Sequence, residues 1–245
     1  MSYLLIPVAP LSQTKSRLRD CLSKDQLKEL TIAMFNDLGV TLSKAQGFED
    51  IIVYCHGDEI LELANRYGLV GIKEKLMKPR KSFDEVISDL NNIAIQKYNA
   101  QQTIFTFLDT ILISAKNFNE INSLVKANQL VVCPAIHSAG VSVLGRNPPT
   151  IMPTYFSDPN IPSFIALIKK AKKMGLEKIA IYDSFRAGFD IDIKQDLLLA
   201  YQYLKILNLK HTQTYLYLKH NLKLTLQKSG LKNNRKFRII KKLNK

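Results

Sequence analysis

The stretch "YLLIPVAPLSQTKSRL" (residues 3–18), running on into "RDCLSKDQLKELTIAMFNDLGV" (19–40), decides the fold class. Its apolar start, "YLLIPV", has no polar alternation and reads as a buried β-strand. From Pro7 to Arg17 the chain then spends two prolines, three hydroxyl residues, a Gln and the cations Lys15 and Arg17. A helix follows, because Ser23 with Gln26 three residues later forms a capping box ahead of a long apolar-periodic run. Most strand-to-helix loops are shorter, about two to six residues. Loops at the carboxyl ends of strands in an open α/β sheet are where ligands bind. Two cations and backbone N–H groups in such a loop suit phosphate, with Lys15 as a point charge and Arg17 as a planar fork. A solvated connector is the other reading of both residues.

Strand and helix patterns alternate beyond this point. "EDIIVYC" (49–55), "LVGIKE", "TIFTFLD" (103–109), "QLVVCPAI", "AGVSVLG" and "KIAIYD" read as strands, and "GFDID" as a short one. Between them "DEILELANRYG" (58–68) is a helix closed by Gly68, and "SFDEVISDLNNIAIQKYN" (82–99) is a helix with Ser82 and Glu85 as a capping box. "AKNFNEINSLVKAN" has Ser114 as its N-cap, "IPSFIALIKKAKKMG" starts near Pro162 and stops at Gly175, and "KQDLLLAYQYLKIL" is the last clear helix. This βαβ order predicts an α/β fold: one doubly wound, mainly parallel sheet flanked by helices. In "TYLYLKHNLKLTL" the apolar and polar residues alternate, which predicts a strand or a short hairpin.

Charge divides the chain unevenly. The 245 residues carry a formal net charge of +14, yet no Asp or Glu follows Asp196, and 12 of the 35 Lys and Arg lie from Lys205 onward. Residues 1–204 are therefore close to neutral and are expected to be the α/β domain, with 205–245 as a basic C-terminal extension. Its cations, with Tyr215, Tyr217 and Phe237 among them, suit weak contact with a polyanion or RNA; a solvated extension is the plainer reading. No apolar run reaches the roughly 20 residues of a membrane span. The start of the chain reads as a strand rather than a signal peptide, and three widely spaced cysteines suit reduced thiols, so a cytoplasmic protein is expected.

Three carboxylates carry the chemistry. Asp109 ends a strand whose six preceding residues are uncharged, and Asp190 and Asp192 stand two apart in "GFDID", on one side if that segment is extended. Such a pair repels unless solvent or a cation lies between its members, and with Asp109 it makes an oxygen-only site suited to Mg²⁺. The alternative is a turn cap at Asp109 and an exposed connection at the other two. His137, before "SAG", has a structural turn residue as its plain reading, and Arg146 in "LGRNPP" reads as a loop cation. Neither G-x-x-x-x-G-K-[ST] nor G-x-G-x-x-G occurs, which excludes a P-loop or a dinucleotide fingerprint.

The opening block resembles the start of the 2-phospho-L-lactate guanylyltransferases, close relatives of the phosphoenolpyruvate guanylyltransferases of deazaflavin coenzyme (F-420) biosynthesis. The similarity continues through "FTFLDTILIS", "PAIHSAGVSVL", "RNPP", "PSFIALIKKAKKMGL" and "FDIDIKQDLLLA", over about residues 3–204. The resemblance implies a nucleotidyltransferase fold and transfer of GMP from GTP to a small phosphorylated acid, with release of pyrophosphate. It implies Asp109, Asp190 and Asp192 as Mg²⁺ ligands, and Pro7, Lys15, Arg17 and Ser82 toward the nucleotide. His137, Gly140 and Ser163 fall on the acid. Asp109, Lys15 and Arg17 form the catalytic set, and the assembly stays open, a homodimer among the options. The chain departs from the family pattern at Ala9, where the family has Lys, at Ile111, where it has Pro, and at "SFD", where it has the Gly-Leu-Asn run of the nucleobase pocket. These departures bear on the choice of base. A nucleotidyltransferase fold that binds nucleotide or RNA without catalysis is the competing reading.

Overall fold

The computed structural model describes residues 1–11, 15–228 and 235–241. In chain order the elements are β1 (Ser2–Val8), a 3₁₀ turn (Ser16–Leu18), α1 (Lys24–Leu42), β2 (Asp50–Cys55), α2 (Asp58–Arg66), β3 (Val70–Lys73), α3 (Phe83–Tyr98) and β4 (Gln102–Thr106). They continue with α4 (Ala115–Ala127), β5 (Leu130–Pro134), β6 (Val141–Arg146), α5 (Ser163–Lys173), β7 (Ile179–Ile181), α6 (Phe185–Gly188), α7 (Lys194–Ile206), α8 (Gln213–Asn221), β8 (Leu222–Lys228) and β9 (Arg235–Lys241). By its internal contacts the chain forms two units, Met1–Pro10 with Leu38–Asp190, and Leu11–Asp37 with Ile191–Lys245.

The first unit holds a seven-stranded sheet in the order β3-β2-β1-β4-β6-β5-β7. Its strands run parallel except β6, which is antiparallel to both β4 and β5. All seven residues of β1 are buried. That is why its sequence is a continuous apolar run: a central strand covered on both faces has no polar side to show. The capping boxes Ser82–Glu85 and Ser114–Asn117 start α3 and α4. Gly68 and Gly175 follow α2 and α5 at φ 71° and 75°, a conformation that costs glycine little. Phe105, Leu144 and Met152 lie in a core with Leu90 of α3 and Leu167 of α5. Burying a side chain of this size contributes roughly 2–3 kcal/mol.

Strand order reverses between β1 and β4, and the sheet opens there. The β1–β4 ladder ends at Leu5 opposite Phe105, while the β1–β2 ladder continues to Val8 opposite Cys55. Pro7 lies beyond the last β4 rung and has no N–H to extend it. A crevice at the carboxyl ends of β1 and β4 is the switch point at which open α/β sheets bind ligands.

The second unit joins segments far apart in sequence. The carboxylate of Asp37 in α1 accepts the N–H groups of Gln213 and Thr214 at 2.8 Å each, the first turn of α8. Burial pushes that carboxyl above the ordinary carboxylate range. The Tyr217 hydroxyl donates to Gln26 O at 2.7 Å, and Tyr201 of α7 stacks on Tyr215 of α8 with centroids 5.2 Å apart. β8 and β9 pair antiparallel and lie against α7.

Within residues 205–245, read above as a basic extension, α8 finds partners in α1, about 175 residues earlier. Three expectations need correction. "TYLYLKHN" is helical: Thr212 caps α8 by accepting Tyr215 N at 3.3 Å, and Asp37 satisfies two more N–H groups, which outweighs the apolar–polar alternation. "GFDID" forms no strand: Gly188 closes α6, and its carbonyl accepts Ile136 N at 2.9 Å. Arg146 is not a loop cation but lies buried at the end of β6, donating to Met152 O at 2.8 Å with Phe105 under its guanidinium. Burial lowers its pKa to about 10. β9 is a strand, and residues 229–234 and 242–245 lie outside the described residues.

Candidate active site

In the first unit the switch point is furnished by the turn that follows β4. Thr110 donates to Phe107 O at 2.7 Å, Ile111 N donates to Asp109 O at 2.9 Å, and Ile113 N donates to Thr110 O at 3.2 Å. Thr110, Leu112 and Ile113 are buried. Asp109 therefore stands on a turn fixed by its own hydrogen bonds and by core packing. Asp190 arrives along a second fixed path. Ser184 caps α6 by accepting Ala187 N at 3.3 Å, and Gly188 passes so close to Pro134 O that a Cβ there would meet it at 2.6 Å. Phe189 is fully buried next to Asp190. These two routes bring carboxylate oxygens of Asp109 and Asp190 within 4.8 Å of each other.

The loop between β5 and β6 adds the residues read toward the acid. Ala135 N donates to Gly140 O at 3.1 Å, Ala139 takes φ 50°, and Ala139 O accepts the N–H of Phe164 at 3.2 Å. That last bond ties the loop to the first turn of α5, where Ser163 is the first helical residue. His137 meets the ring of Phe189 edge-on, centroids 5.6 Å apart. The fold thus gathers His137, Gly140 and Ser163, and it places His137 against the neighbour of Asp190.

Ser82 is committed to its helix: its oxygen accepts Glu85 N at 3.3 Å and its hydroxyl donates to Glu85 Oε2 at 2.7 Å. Asp84 is committed too. Its carboxylate accepts the Thr154 hydroxyl at 2.6 Å and the N–H groups of Phe156 and Ser157 at 2.9 Å each. Phe83, Phe107 and Phe156 form a ring cluster with centroids 5.6–5.7 Å apart. Phe107 belongs to the turn that carries Asp109, so an aromatic surface borders it.

In the second unit Lys15, Arg17 and Asp192 come together. Lys15, at φ 50°, donates to Ile191 O and pairs with Asp192 Oδ1 at 3.3 Å; Arg17 pairs with Asp192 Oδ2 at 3.3 Å. Asp192 N and Ile193 N both donate to Asp196 Oδ2 at 2.8 Å, and Asp196 is buried. Asp196 therefore fixes the backbone that presents Asp192 to the two cations. Only 11% of the Lys15 side chain is exposed against 68% for Arg17, so Arg17 is the group with freedom to reach a ligand.

Sequence reasoning missed Asp84, Phe107, Asn117 and Tyr182. Asn117 had a signal, since S-x-x-N fits a cap, but nothing in the spacing indicated its second set of partners across the fold.

A family model described as "Guanylyl transferase CofC like" matches residues 2–241. The 2-phospho-L-lactate guanylyltransferase of Methanocaldococcus jannaschii is 29% identical over 195 residues, 79% of this chain and 80% of that protein. The phosphoenolpyruvate guanylyltransferase of Thermobaculum terrenum is 24% identical over 196 residues, 80% of each. Among solved structures, a protein assigned as a nucleotide-diphospho-sugar transferase from Desulfovibrio desulfuricans superposes with a TM-score of 0.70 at 14% identity, over 89% of this chain and 94% of that one. A nucleotidyl transferase from Methanothermobacter superposes with a TM-score of 0.60 at 11% identity, over 85% and 99%. At these identities the structures speak for the fold alone. Among the described residues no helix is long and apolar enough to cross a membrane.

Proposed function

The chain belongs to the CofC-like guanylyl transferase family, and from that membership we propose that it transfers GMP from GTP to a small phosphorylated acid, 2-phospho-L-lactate or phosphoenolpyruvate, in F-420 biosynthesis. The observation that carries the reading is the Asp109–Asp190 pair beside the β1–β4 switch point. Oxygen-only donors within 4.8 Å of each other suit a hard cation, and Mg²⁺ takes oxygens at about 2.1 Å. Asp109, Asp190 and Asp192, the last two residues further along the chain, would hold it; bound Mg²⁺ neutralises charge on the phosphates.

The chain's own residues supply the rest. A phosphate oxygen of the acid attacks the α-phosphorus of GTP, the bond from that phosphorus to the bridging oxygen breaks, and pyrophosphate leaves. The attacking phosphate monoester is already ionised near neutral pH, so no general base has to remove a proton. Lys15 and Arg17 stabilise the charge gathering on the departing pyrophosphate. Ser163, His137 and Gly140 orient the acid, the first through its place at a helix start that favours anions. Lys15 and Ala9 share the cationic loop; with Ala9 where the family carries Lys, the burden on Lys15 and Arg17 is greater.

The test incubates the full chain with Mg²⁺, each of the four nucleoside triphosphates and a panel of phosphorylated acids, and follows pyrophosphate. Release that requires both GTP and one acid, with a nucleoside diphosphate-linked product by mass, supports the reading. Release without an acid, or none with any pair, sinks it.

A further inference from the structure

We infer that Asn117 is a positioning residue that sets the separation of Asp109 and Asp190, an inference that rests on the metal reading proposed above. Asn117 is nine-tenths buried in the first turn of α4, and its amide uses all four of its hydrogen-bonding positions. Its Oδ1 accepts Ser114 N at 3.0 Å and the Ser114 hydroxyl at 2.7 Å. Its Nδ2 donates to the Tyr182 hydroxyl at 2.9 Å and to Ser184 Oγ at 3.3 Å. The Tyr182 hydroxyl in turn donates to Glu120 on the next turn of α4. One side chain thereby ties the segment after β4 to the segment after β7.

Those two segments are the ones that carry the carboxylates. Ser114 lies five residues after Asp109, and the turn between them is closed by hydrogen bonds and buried at Thr110, Leu112 and Ile113. Ser184 lies six residues before Asp190, and the path between them is held by the α6 cap, by the contact of Gly188 with Pro134 O and by buried Phe189. Both paths are stiff, so the distance fixed at Asn117 is passed on to the oxygens. A cleft of about 430 Å³ opens over the network, lined by Lys116 and Arg186 among others, so the side facing it has no core packing to replace the hydrogen bonds. Partners that hold metal ligands in place typically govern affinity by about 10–100-fold.

The test measures Mn²⁺ binding to the full chain by electron paramagnetic resonance, with Mg²⁺ titration calorimetry beside it and no nucleotide present. Asn117→Ala should raise the Kd for Mn²⁺ roughly tenfold, and Tyr182→Phe and Ser184→Ala should each raise it by a smaller factor. Asn122→Ala is the structural control: Asn122 is buried on the same helix and holds Gly47 O at 2.7 Å, well along α4 from the network. It should lower Tm and leave the Kd unchanged. A folded Asn117→Ala protein that binds Mn²⁺ like the parent, or an Asn122→Ala protein that loses as much, overturns the inference. If Asn117→Ala does not fold, the Tyr182→Phe/Ser184→Ala double variant decides, and an unchanged Kd there overturns it equally. Asp109→Asn separates the two ideas. Parent binding that this variant abolishes, with Asn117→Ala unaffected, removes the positioning role alone; no Mn²⁺ bound by the parent removes the metal reading and this inference with it.

Discussion

Asp84 Oδ1 accepts the N–H of Phe156 at 2.9 Å across 72 positions of sequence. With the Thr154 hydroxyl and Ser157 N–H on the same carboxylate, Asp84 acts as the clamp of loop 154–157. It stands within the "SFD" run, where the family pattern has the residues of the nucleobase pocket. A carboxylate already accepting three donors has little left to read a base edge.

Asp84→Asn is therefore expected to destabilise the protein by about 1–2 kcal/mol, the loss of charge-assisted bonds at a half-buried site. The ratio of kcat/KM for GTP over ATP should stay as it is. A thermal melt and competition between the two nucleotides check this; a changed ratio with an unchanged melt would assign Asp84 to the base instead.

Arg17 has most of its side chain in solvent and pairs with Asp192 at 3.3 Å. Arg17→Glu places a second carboxylate beside Asp192 and removes a phosphate partner. KM for GTP should rise about tenfold or more while KM for the phosphorylated acid moves less than about threefold. Stability should hold, because an exposed ion pair contributes at most about 1 kcal/mol. Equal loss of both substrates would make the loop a connector.

Burial pushes the thiols of Cys55 and Cys133 up to about 11, while Cys21 is partly exposed. At pH 8 a thiol reagent should label Cys21 in the native protein and reach the other two only on unfolding. The same shifts set a stability window. A folded-state pKa above the unfolded one contributes stability that is complete below about pH 8.5–9 and is lost as pH rises through about 11, roughly 2–3 kcal/mol for each thiol. Denaturation midpoints measured from pH 7 to 11 should fall at the alkaline end; substituting both cysteines by Ala should flatten that fall.

Truncation tests the second unit. Tyr215, Tyr217, Leu218 and Leu222 are buried, so removing residues 205–245 should abolish cooperative unfolding of that unit rather than trim a solvated extension. Tyr217→Phe, which removes only the bond to Gln26 O, should cost about 1 kcal/mol in a denaturant melt. A truncated chain that melts like the parent would return the extension to the status its composition suggested.

Several features were legible because their physics is local. The unbroken apolar run of β1, the capping boxes at Ser23–Gln26 and Ser82–Glu85, and the stops at Gly68 and Gly175 each depend on residues within a turn or two. The βαβ rhythm followed, and with it the position of Asp109 after a strand. Resemblance to a family supplied the roles of the carboxylates, which spacing alone left open between a cation site and exposed turns.

The rest was decided by partners that no spacing announces. The alternation in "TYLYLKHN" is a strand signal until Asp37, far upstream, caps the segment as a helix. Arg146 looks like a loop cation until β6 runs antiparallel between β4 and β5 and carries it into the core. Asn117 looks like half of a capping box until the fold sets Tyr182 and Ser184 against its other edge. In each case a non-local hydrogen bond or burial outweighs a local preference worth well under 1 kcal/mol per residue. The sequence by itself determined most of the strands and helices, and that Asp109 follows a strand, because apolar periodicity and capping are local. Only the tertiary structure decided that Asp109 and Asp190 meet, because the segments that bring them together are packed by partners remote in sequence.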